Sequence, residues 1–465
     1  MPSTIEFKQT LLQRYDQPGP RYTSYPTAPH LREDFGATEY AALVQRGNDD
    51  PVPRPLSLYL HIPFCTSPCF YCGCHRVITR DRTRGEDYLV RLLREVSLQA
   101  ELVDADRTVR QIHLGGGTPT FLTPAQLDRL LEGIASNFRL APATQREVAI
   151  EIDPRSIDTD DLARLRSGGF NRVSFGVQDF DPQVQQAINR VQPAAQTLSL
   201  IACARREQFH SINVDLIYGL PRQTPARFEH TLDAIIDAAP GRIALYGYAH
   251  LPQRFKAQRQ IRADELPAAE QRLEIFQRAL QRLADAGYEH IGMDHFARPE
   301  DELARARRNG TLIRNFQGYA AGGHADILGL GVTAISETSD GLAQNTRSLS
   351  EWNHQLDRGE LAVARGLWLS PEDRLRGELI QSIMCHRLIH IDAVERRHGI
   401  HFSVHFQREL QRLHRLQDDG LVLIDRRRIE VTPAGQLLLR VVASVFDAWL
   451  TRSGPATPIT HSRMV

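Results

Sequence analysis

Short apolar runs alternate with helix-patterned segments through the first two thirds of the chain. Between the runs, apolar residues recur at intervals of three and four, as at Leu89, Leu92 and Val96 on one predicted helix face. Alternating strands and helices predict an α/β domain with a parallel sheet, and six strand–helix units would form a partial barrel with an open side. The predicted strands, the last of them the weakest, are Leu56–Ile62, Val109–Leu114, Glu147–Ile152, Arg172–Val177, Ile212–Ile217, Ile243–Tyr248 and Glu289–Met293.

The N-terminal region differs from this pattern. Residues 1–50 are rich in proline and polar aromatics, with Pro18, Pro20 and Pro26 close together. Proline cannot continue a helix, so the region is predicted to be an extended arm, which we expect to cover the active site. A proline-rich linker then leads into the predicted barrel, which we assign to residues 51–300.

The last third of the chain divides into two further regions. We assign residues 301–369 to a connecting segment that contributes to the active site, and residues 370–465 to a C-terminal domain. Ser370 followed by Pro371 and two acidic residues is typical of a helix start. Further helical patterns and a short hairpin with Arg426–Arg428 at its turn predict a mostly helical, winged-helix-like domain.

The amino-acid composition limits the classes of function that the chain could have. The 465 residues carry 56 basic and 56 acidic side chains, and this zero net charge argues against nucleic-acid binding and a polybasic membrane surface. No apolar run has the ~18 residues of a membrane span, and no apolar signal core begins the chain, so we expect a cytoplasmic protein without membrane insertion. Lysine occurs only at positions 8 and 256, which excludes a Gly-Lys-Ser/Thr phosphate loop.

Four of the six cysteines lie within ten residues, at Cys65, Cys69, Cys72 and Cys74. In a chain without an export signal this cluster indicates metal or redox chemistry. The spacing C-x3-C-x2-C places three thiolates on one loop directly after the first strand. Thiolates bind iron–sulfur clusters, and three of them leave one iron of a [4Fe–4S] cluster open. Cys203 and Cys385 stand alone on helix-like stretches and are predicted to be core residues.

Two alternatives remain for this loop. Structural zinc usually requires a second Cys or His pair a dozen or more residues away, and none follows here. Cys74 could be a fourth ligand, although it lies very close to Cys72 for tetrahedral chelation.

The Gly115–Thr118 run after the second strand would let the backbone approach a ligand closely.

The cysteine loop resembles that of the radical S-adenosylmethionine (SAM) superfamily, and the wider match resembles the oxygen-independent coproporphyrinogen III oxidases. The resemblance extends in order from about residue 18 to about 450. It implies a partial (β/α)6 radical SAM barrel, a [4Fe–4S] cluster and two SAM molecules. The motifs that carry it are Arg21–Ala28, His61–Cys65, Cys74, His113–Thr120, Ile150–Pro154, Gly176–Phe180, Asn213–Gly219, Gly292–Arg298 and Arg314–Tyr319.

The implied reaction is oxidative decarboxylation of two propionates of coproporphyrinogen III to vinyl groups, giving protoporphyrinogen IX in haem biosynthesis. A 5′-deoxyadenosyl radical, generated from SAM at the cluster, would start it. The resemblance implies that Cys65, Cys69 and Cys72 bind the cluster and that Tyr59, Glu151 and Gln178 are catalytic. The cofactor-binding positions would be Tyr59, Tyr71, Cys74, Gly116, Gly117, Thr118, Glu151, Gln178, Arg190, Asp215, Ala249 and Ile335.

A substrate with four propionates needs fixed cations, and Arg21, Arg298 and Arg314 are candidates because they lie in the shared motifs. His61 and His295 could serve as hydrogen-bond donors. We also expect an electron donor and an electron acceptor, neither identified by the sequence, and a monomer. The alternatives are a radical-SAM-like haem chaperone and a zinc-stabilised winged-helix DNA-binding protein. Cys74 and the Arg21–Ala28 arm favour the oxidase.

Overall fold

The computed structural model describes residues 8–450, which form two compact units. The first unit comprises the described residues of Met1–His30, Leu280–Gly323 and Leu369–Val465, and the second comprises Leu31–Ala279 and His324–Trp368. The helices are α1 (Gln9–Tyr15), α2 (Ala37–Asn48), α3 (Thr83–Ala100), α4 (Pro124–Asn137), α5 (Thr159–Ser167), α6 (Pro182–Ala187), α7 (Ala194–Arg206), α8 (Pro225–Ala238), α9 (Ala269–Asp285), α10 (Glu302–Arg308), α11 (Leu349–Asp357), α12 (Pro371–Gln381), α13 (Ile391–His398), α14 (Phe402–His405), α15 (Gln407–Asp418) and α16 (Leu439–Ser444).

The strands are short, and most are buried. They are β1 (Leu56–Ile62), β2 (Phe64–Cys65), β3 (Val77–Ile78), β4 (Val109–Gly116), β5 (Glu147–Ile152), β6 (Arg172–Gln178), β7 (Ser211–Tyr218), β8 (Arg242–Gly247), β9 (Glu289–Gly292), β10 (His295–Ala297), β11 (Ile313–Asn315), β12 (Gly318–Ala320), β13 (Asp326–Leu330), β14 (Ile335–Glu337), β15 (Gly341–Asn345), β16 (Val363–Trp368), β17 (Leu388–His390), β18 (Val422–Ile424) and β19 (Arg428–Val431).

The six predicted barrel strands are confirmed as β1, β4, β5, β6, β7 and β8 of the second unit. They pair in parallel in chain order, so their carboxyl ends lie at one edge of the sheet. The helical face predicted for α3 is also confirmed, because Leu89, Leu92 and Val96 are fully buried. Apolar residues recur at every second position in several of these strands, as in β5, which is why the runs could be identified in the sequence.

The sheet of the second unit is wider than the sequence indicated. β13 pairs in parallel with the outer side of β1, and β14, β15 and β16 extend the sheet as antiparallel strands. All four lie in or next to the predicted connecting segment 301–369, which therefore supplies sheet strands rather than a simple connection. Residues 280–323 belong to the first unit, and the predicted domain bounds stay predictions.

The predicted extended arm is only partly extended. Residues 18–27 contain no helix, as their prolines predict, but α1 and α2 lie on either side of them. Ala37–Asn48 was missed because the proline signal nearby dominated the prediction, although Tyr40, Leu43 and Val44 repeat at helical spacing and are fully buried. The structure does not test whether the arm covers the active site.

The first unit contains the predicted C-terminal helices and hairpin. Ser370 caps α12 as predicted: its hydroxyl accepts a hydrogen bond from the Asp373 amide at 3.1 Å, and the Asp373 carboxylate accepts one from the Ser370 amide. The hairpin is formed by β18 and β19, and β17 pairs with β19. Cys385, like Cys203 in the second unit, is buried, which confirms both as core residues. Within residues 8–450, no helix is long and apolar enough to cross a membrane.

Candidate active site

The three-cysteine loop follows β1 at the carboxyl edge of the sheet. Cys65 is the last residue of β2, which pairs with β3 so that Ile78 lies opposite Cys65. The Thr79 amide donates to the Cys65 carbonyl at 2.9 Å, and the Thr118 hydroxyl donates to the Cys65 thiol at 3.4 Å. Burial raises the pKa of Cys65 to about 11 in the absence of a metal. A bound iron would have to offset this by favouring the thiolate.

Arg76 holds the remainder of the loop. Its guanidinium donates to the backbone carbonyls of Cys69, Cys72 and Cys74 at 3.1–3.3 Å. One side chain thereby closes the turn that carries three of the four cysteines. The sequence analysis did not identify Arg76, because an arginine after a cysteine motif gives no signal of its own.

Cys69 lies beside two arginines that share one carboxylate. Arg155 and Arg190 reach the Cys69 sulfur at 3.5 and 3.4 Å. Both also contact the same oxygen of Asp153, at 2.6 and 3.0 Å. Burial raises the pKa of Asp153, but the two guanidinium groups outweigh it and hold that pKa at about 2. Asp153 is therefore ionised at neutral pH.

Cys72 and Cys74 interact directly. The Cys74 amide donates to the Cys72 sulfur at 3.4 Å, and the thiols also interact. This contact with Cys74 lowers the pKa of Cys72 and raises that of Cys74. Cys74 is the exposed member of the four, whereas Cys69 is buried. The pair therefore favours the thiolate on Cys72, which is one of the three predicted ligands.

The donor set fits an iron–sulfur cluster by its chemistry. Three thiols of one loop are close enough to shift one another's proton affinity, and all six cysteines are unbridged. In the described part of the chain, no group of three or more His, Cys, Asp or Glu side chains converges as ligands of a single metal ion. The assignment of Cys65, Cys69 and Cys72 as ligands stays a prediction.

The glycine run lies directly against the cysteine loop. Gly116 has φ +115°, and a Cβ there would lie 2.7 Å from the His61 ring. A Cβ on Gly117 would meet the Pro63 backbone at the same distance, and one on Gly115 would meet the Glu151 carboxylate. Only glycine permits this close approach of β4 to the loop after β1. This close approach is between protein segments, and the predicted approach of the glycine run to a ligand stays a prediction.

Glu151 joins the glycine run to two aromatic side chains. Its carboxylate accepts from the Gly116 amide at 3.2 Å and contacts His113 Nε2 at 3.1 Å. Tyr59 stacks on the His113 ring with a centroid distance of 5.9 Å, and its hydroxyl lies 3.2 Å from His61 Nδ1. Burial raises the pKa of Glu151, but these hydrogen bonds outweigh it and the pKa is lowered. His113 was not singled out by the sequence analysis.

His61 is a neutral component of this group. Its Nε2 lies 3.1 Å from the His75 carbonyl, and burial lowers its pKa to about 4. A neutral imidazole with Nε2 protonated would donate to that carbonyl and leave Nδ1 to accept from Tyr59. His61 therefore has a structural partner on each side, which favours its role in shaping the site over a role as a substrate donor.

A second group of predicted residues surrounds Arg190. Its guanidinium donates to the Gly176 carbonyl at 2.5 Å, and a Cβ on Gly176 would lie 3.0 Å from the Gln178 amide nitrogen. Gln178 adopts φ +66° at the end of β6, which turns the chain at this point. Asp215 lies opposite Gly176 on β7 and accepts hydrogen bonds from Ser174 and Asn213.

Three further predicted residues border these groups. Tyr71 packs on the apolar cluster that includes Ile188 and Tyr248, and Ala249 directly follows Tyr248 after β8. The Ile335 backbone lies against Gly329, which is the β13 partner of Tyr59. The predicted cofactor residues thus all belong to the second unit. Their roles in binding remain predictions.

The candidate substrate arginines lie in the first unit. Arg21 pairs with Asp294 at 3.1 Å, and His295 Nδ1 contacts the same carboxylate at 2.7 Å. Arg314 is buried, and its Nε donates to the Arg21 carbonyl. Arg298 instead lies over the Tyr288 ring, with 4.9 Å between its guanidinium carbon and the ring centroid. The structure therefore brings Arg21, Arg314 and His295 together and leaves Arg298 outside that group.

Comparison with known proteins agrees with this geometry. Residues 59–235 match the Radical SAM superfamily, and residues 369–438 match the HemN C-terminal domain. The oxygen-independent coproporphyrinogen III oxidase of Pseudomonas aeruginosa is 46% identical over 97% of both chains. That of Synechocystis is 42% identical over 96% of both. The solved structure of coproporphyrinogen III oxidase (HemN) from Escherichia coli superposes with a TM-score of 0.91, at 43% identity, over 96% of this chain and 100% of that one.

An open parallel sheet with a three-cysteine loop after its first strand defines a radical SAM enzyme, and the superfamily match places this chain in that class. More specifically, it belongs to the family of oxygen-independent coproporphyrinogen III oxidases. The match over almost the whole chain supports the oxidase interpretation, and neither the haem-chaperone nor the zinc-dependent DNA-binding alternative receives support.

Proposed function

We propose that this chain converts two propionates of coproporphyrinogen III to vinyl groups, giving protoporphyrinogen IX. The observation that carries the proposal is the placement of three thiols, a glycine run and Glu151 at one edge of the parallel sheet. Membership of the oxidase family supplies the substrate. The cytoplasmic location and monomeric state expected from the sequence stay predictions.

The first cofactor group comprises the residues around the cysteine loop. Cys65, Cys69 and Cys72 would hold a [4Fe–4S] cluster, which supplies the electron that splits SAM into methionine and a hydrogen-abstracting radical. Tyr59 and the Glu151 network lie beside Gly116 and would fix the first SAM molecule next to the open iron.

The second cofactor group comprises Tyr71, Gln178, Arg190, Asp215 and Ala249. It combines a buried guanidinium, an amide and a carboxylate with an aromatic ring, which suits a ligand that carries a carboxylate, an amine and an adenine. The two groups share Cys69 as a neighbour, because Arg190 contacts its sulfur. We therefore propose that two SAM molecules bind within the second unit.

The substrate carboxylates require fixed cations. Arg21 and Arg314 lie together near Asp294, so this part of the first unit supports binding of propionate groups. A guanidinium pairs with carboxylates in two-point geometry and holds the tetrapyrrole in one orientation. We expect the protein itself to contribute by positioning the substrate, since the cofactors supply the radical. An external donor and an external acceptor would complete the electron balance.

Anaerobic reconstitution with iron and sulfide, followed by SAM, reductant and deuterated substrate, tests the proposal. Coproporphyrinogen III labelled at the propionate carbons β to the carboxylates should transfer deuterium to 5′-deoxyadenosine. Two molecules of 5′-deoxyadenosine should form for each protoporphyrinogen IX, because two propionates react. Cleavage of SAM with all deuterium retained in the tetrapyrrole would contradict the mechanism. A matched sample with Cys72→Ser protein controls for cleavage outside the site.

A further inference from the structure

The Cys69 sulfur differs from those of the other two predicted ligands in its direct contacts with guanidinium N–H groups. Arg155 and Arg190 both direct N–H groups at it, at 3.5 and 3.4 Å. The hydrogen bond to the Cys65 sulfur comes instead from a neutral hydroxyl, that of Thr118. Arg76 also lowers the pKa of Cys65 and Cys72 through its charge, so it is the direct guanidinium contact that is particular to Cys69.

Asp153 controls how much of this charge is neutralised. One of its oxygens contacts both guanidinium groups, Arg155 at 2.6 Å and Arg190 at 3.0 Å. Its other oxygen accepts from the Arg155 amide at 3.0 Å, which fixes the carboxylate on its own loop after β5. The side chains of Asp153, Arg155 and Arg190 are 14%, 22% and 7% exposed, so solvent screens them only partly.

The two arginines differ in their contacts with the predicted cofactor-binding residues. Arg190 belongs to the second cofactor group. Arg155 has no contact with that group among the described hydrogen bonds other than through Asp153 and Cys69. It also lines a small pocket of about 110 Å³ together with Thr118 and Arg82. Arg155 therefore contacts the Cys69 sulfur without being one of the predicted SAM contacts.

We propose that Arg155 and Asp153 are positioning residues that set the reduction potential of the iron–sulfur cluster through the Cys69 sulfur. The proposal rests on the proposed function only in requiring that the cluster binds. Reduction adds one negative charge to the cluster. Hydrogen bonds to cluster sulfurs and nearby positive charge stabilise that added charge and raise the potential, whereas nearby negative charge lowers it.

The two residues should therefore have opposite effects. Arg155→Gln removes a cation and a strong N–H donor from Cys69, so the reduced cluster becomes less stable and the potential falls. Asp153→Asn keeps both arginines but removes the carboxylate that neutralises them, so the potential rises. A residue that merely maintains the fold would not give shifts of opposite sign.

The test is a redox titration of the reconstituted cluster, followed by electron paramagnetic resonance, in protein without SAM. Arg155→Gln should lower the reduction potential of the cluster by at least about 59 mV. This corresponds to a tenfold change in the ratio of reduced to oxidised cluster at equilibrium with a one-electron mediator. Asp153→Asn should shift it in the positive direction. Arg155→Lys, which retains charge but not the guanidinium geometry, should lie between wild type and Arg155→Gln.

Arg82→Gln is the matched control. Arg82 lines the same pocket, but its guanidinium donates to the Phe121 carbonyl at 2.6 Å and to no cysteine sulfur. Its removal should leave the potential close to that of the wild type. Equal shifts in Arg155→Gln and Arg82→Gln would overturn the proposal, as would shifts of the same sign in Arg155→Gln and Asp153→Asn.

Iron content separates this inference from the proposed function. Wild-type protein that binds no cluster would contradict the function itself. Wild-type protein with a normal cluster, together with an unchanged potential in Arg155→Gln, would contradict this inference alone. If Asp153→Asn does not retain iron, the three potentials of wild type, Arg155→Lys and Arg155→Gln still test the proposal. It requires the potential to fall from wild type to Arg155→Lys and further to Arg155→Gln, and any other order would overturn it.

Discussion

Individual cysteines of the loop differ in surroundings although they lie within ten residues of one another. Cys65 accepts from Thr118, and Cys69 lies beneath Arg155 and Arg190. Cys74 is exposed, and its amide supports the sulfur of Cys72. Cys74 is therefore placed as a residue that supports a predicted iron ligand, Cys72, rather than as an iron ligand itself.

Serine substitutions should distinguish these roles. Cys65→Ser, Cys69→Ser and Cys72→Ser should each abolish iron loading, since a hydroxyl does not replace a thiolate ligand of a cluster iron. Cys74→Ser should retain most of the iron, because the backbone amide that supports Cys72 remains. Iron and sulfide analysis with the visible absorption spectrum measures this. A Cys74→Ser protein without a cluster would show that Cys74 is itself a ligand.

The cysteine spacing and the glycine run could be recognised in the sequence because each is contiguous. The roles of Arg76 and Arg155 could not. Arg155 is 86 residues from Cys69, and only the folding of β5 beside the cysteine loop brings the two together. The same holds for His113, whose stacking on Tyr59 follows from the register of β1 and β4.

At the level of elements, β14 carries a buried carboxyl group that affects stability. Burial and, to a smaller extent, the nearby Asp326 carboxylate together raise the pKa of Glu337 to about 8, although Arg54 opposes the shift. The unfolded chain ionises Glu337 near pH 4.3. Between about pH 4.3 and 8 the folded state therefore binds more protons than the unfolded state, so this group lowers stability as pH rises.

Glu337→Gln should remove that dependence. At pH 5 the variant should be more stable than wild type by only about 1 kcal/mol, because the native carboxyl group is protonated and only the unfolded one is ionised. At pH 8 the gain should be larger, on the order of 4 kcal/mol, because the unfolded carboxyl group is fully ionised while the native one is still half protonated. Thermal unfolding of the apoprotein at both pH values measures the difference. Glu132→Gln, at an exposed position of α4, serves as the control. An equal gain in stability of Glu337→Gln at pH 5 and at pH 8 would contradict the argument.

The N-terminal arm is anchored within its own unit. Arg440 donates to the carbonyls of Gly19 and Pro20, and the Tyr22 hydroxyl donates to Asp447 at 3.0 Å. Tyr25 accepts from the Ala448 amide. The part of the arm up to His30 therefore packs as part of the first unit, a contribution that its proline content did not predict, whereas the part from Leu31 onward belongs to the second unit.

Deletion of residues 1–30 should have two separable effects. The cluster should load normally, because its residues lie in the second unit. The thermal midpoint should fall, since Tyr22 and Tyr25 are removed from a buried position, and vinyl formation should fall if the arm excludes water from the reaction. Iron content, melting and product chromatography measure the three quantities. Turnover at the full rate would contradict the proposed covering role.

Strand prediction succeeded where apolar residues recur at every second position. In β5, for example, Val148, Ile150 and Ile152 are buried and the residues between them are half-buried, so the alternation identifies the strand. β13–β16 escaped prediction because they are short and partly polar: β15, for example, includes the buried Gln344 and Asn345. Their polar side chains are satisfied by partners such as Thr333 and Glu95, which only the fold supplies.

The whole molecule is organised discontinuously along the chain. The first unit combines three separate stretches, and the second unit combines two. In the first unit, the hairpin of β11 and β12 contacts the segment around α12, more than sixty residues later in the chain. The Tyr319 hydroxyl donates to the Met384 carbonyl at 2.9 Å, and the Arg314 amide donates to the Gln381 side chain at 3.2 Å. A domain boundary drawn as a single residue number cannot describe this arrangement.

Gln381 provides a direct test of this long-range connection. Its side chain accepts from the Arg314 amide and donates to the Arg314 carbonyl, as a neighbouring strand would. Gln381→Ala should remove the partner of that amide at a cost of about 1.4 kcal/mol, which corresponds to about tenfold faster hydrogen exchange at Arg314.

Hydrogen exchange of the full-length apoprotein, resolved to individual peptides, measures the effect. The control is Gln417→Ala, which removes a similar contact to the Ile424 amide and should act on β18 instead of β11. Both variants lose one glutamine that accepts from a strand amide, so general loosening would affect them alike. Unchanged exchange in residues 313–320 of Gln381→Ala would show that this side chain does not stabilise the hairpin. Faster exchange confined to that hairpin would show that the separate stretches of the first unit stabilise one another through this contact.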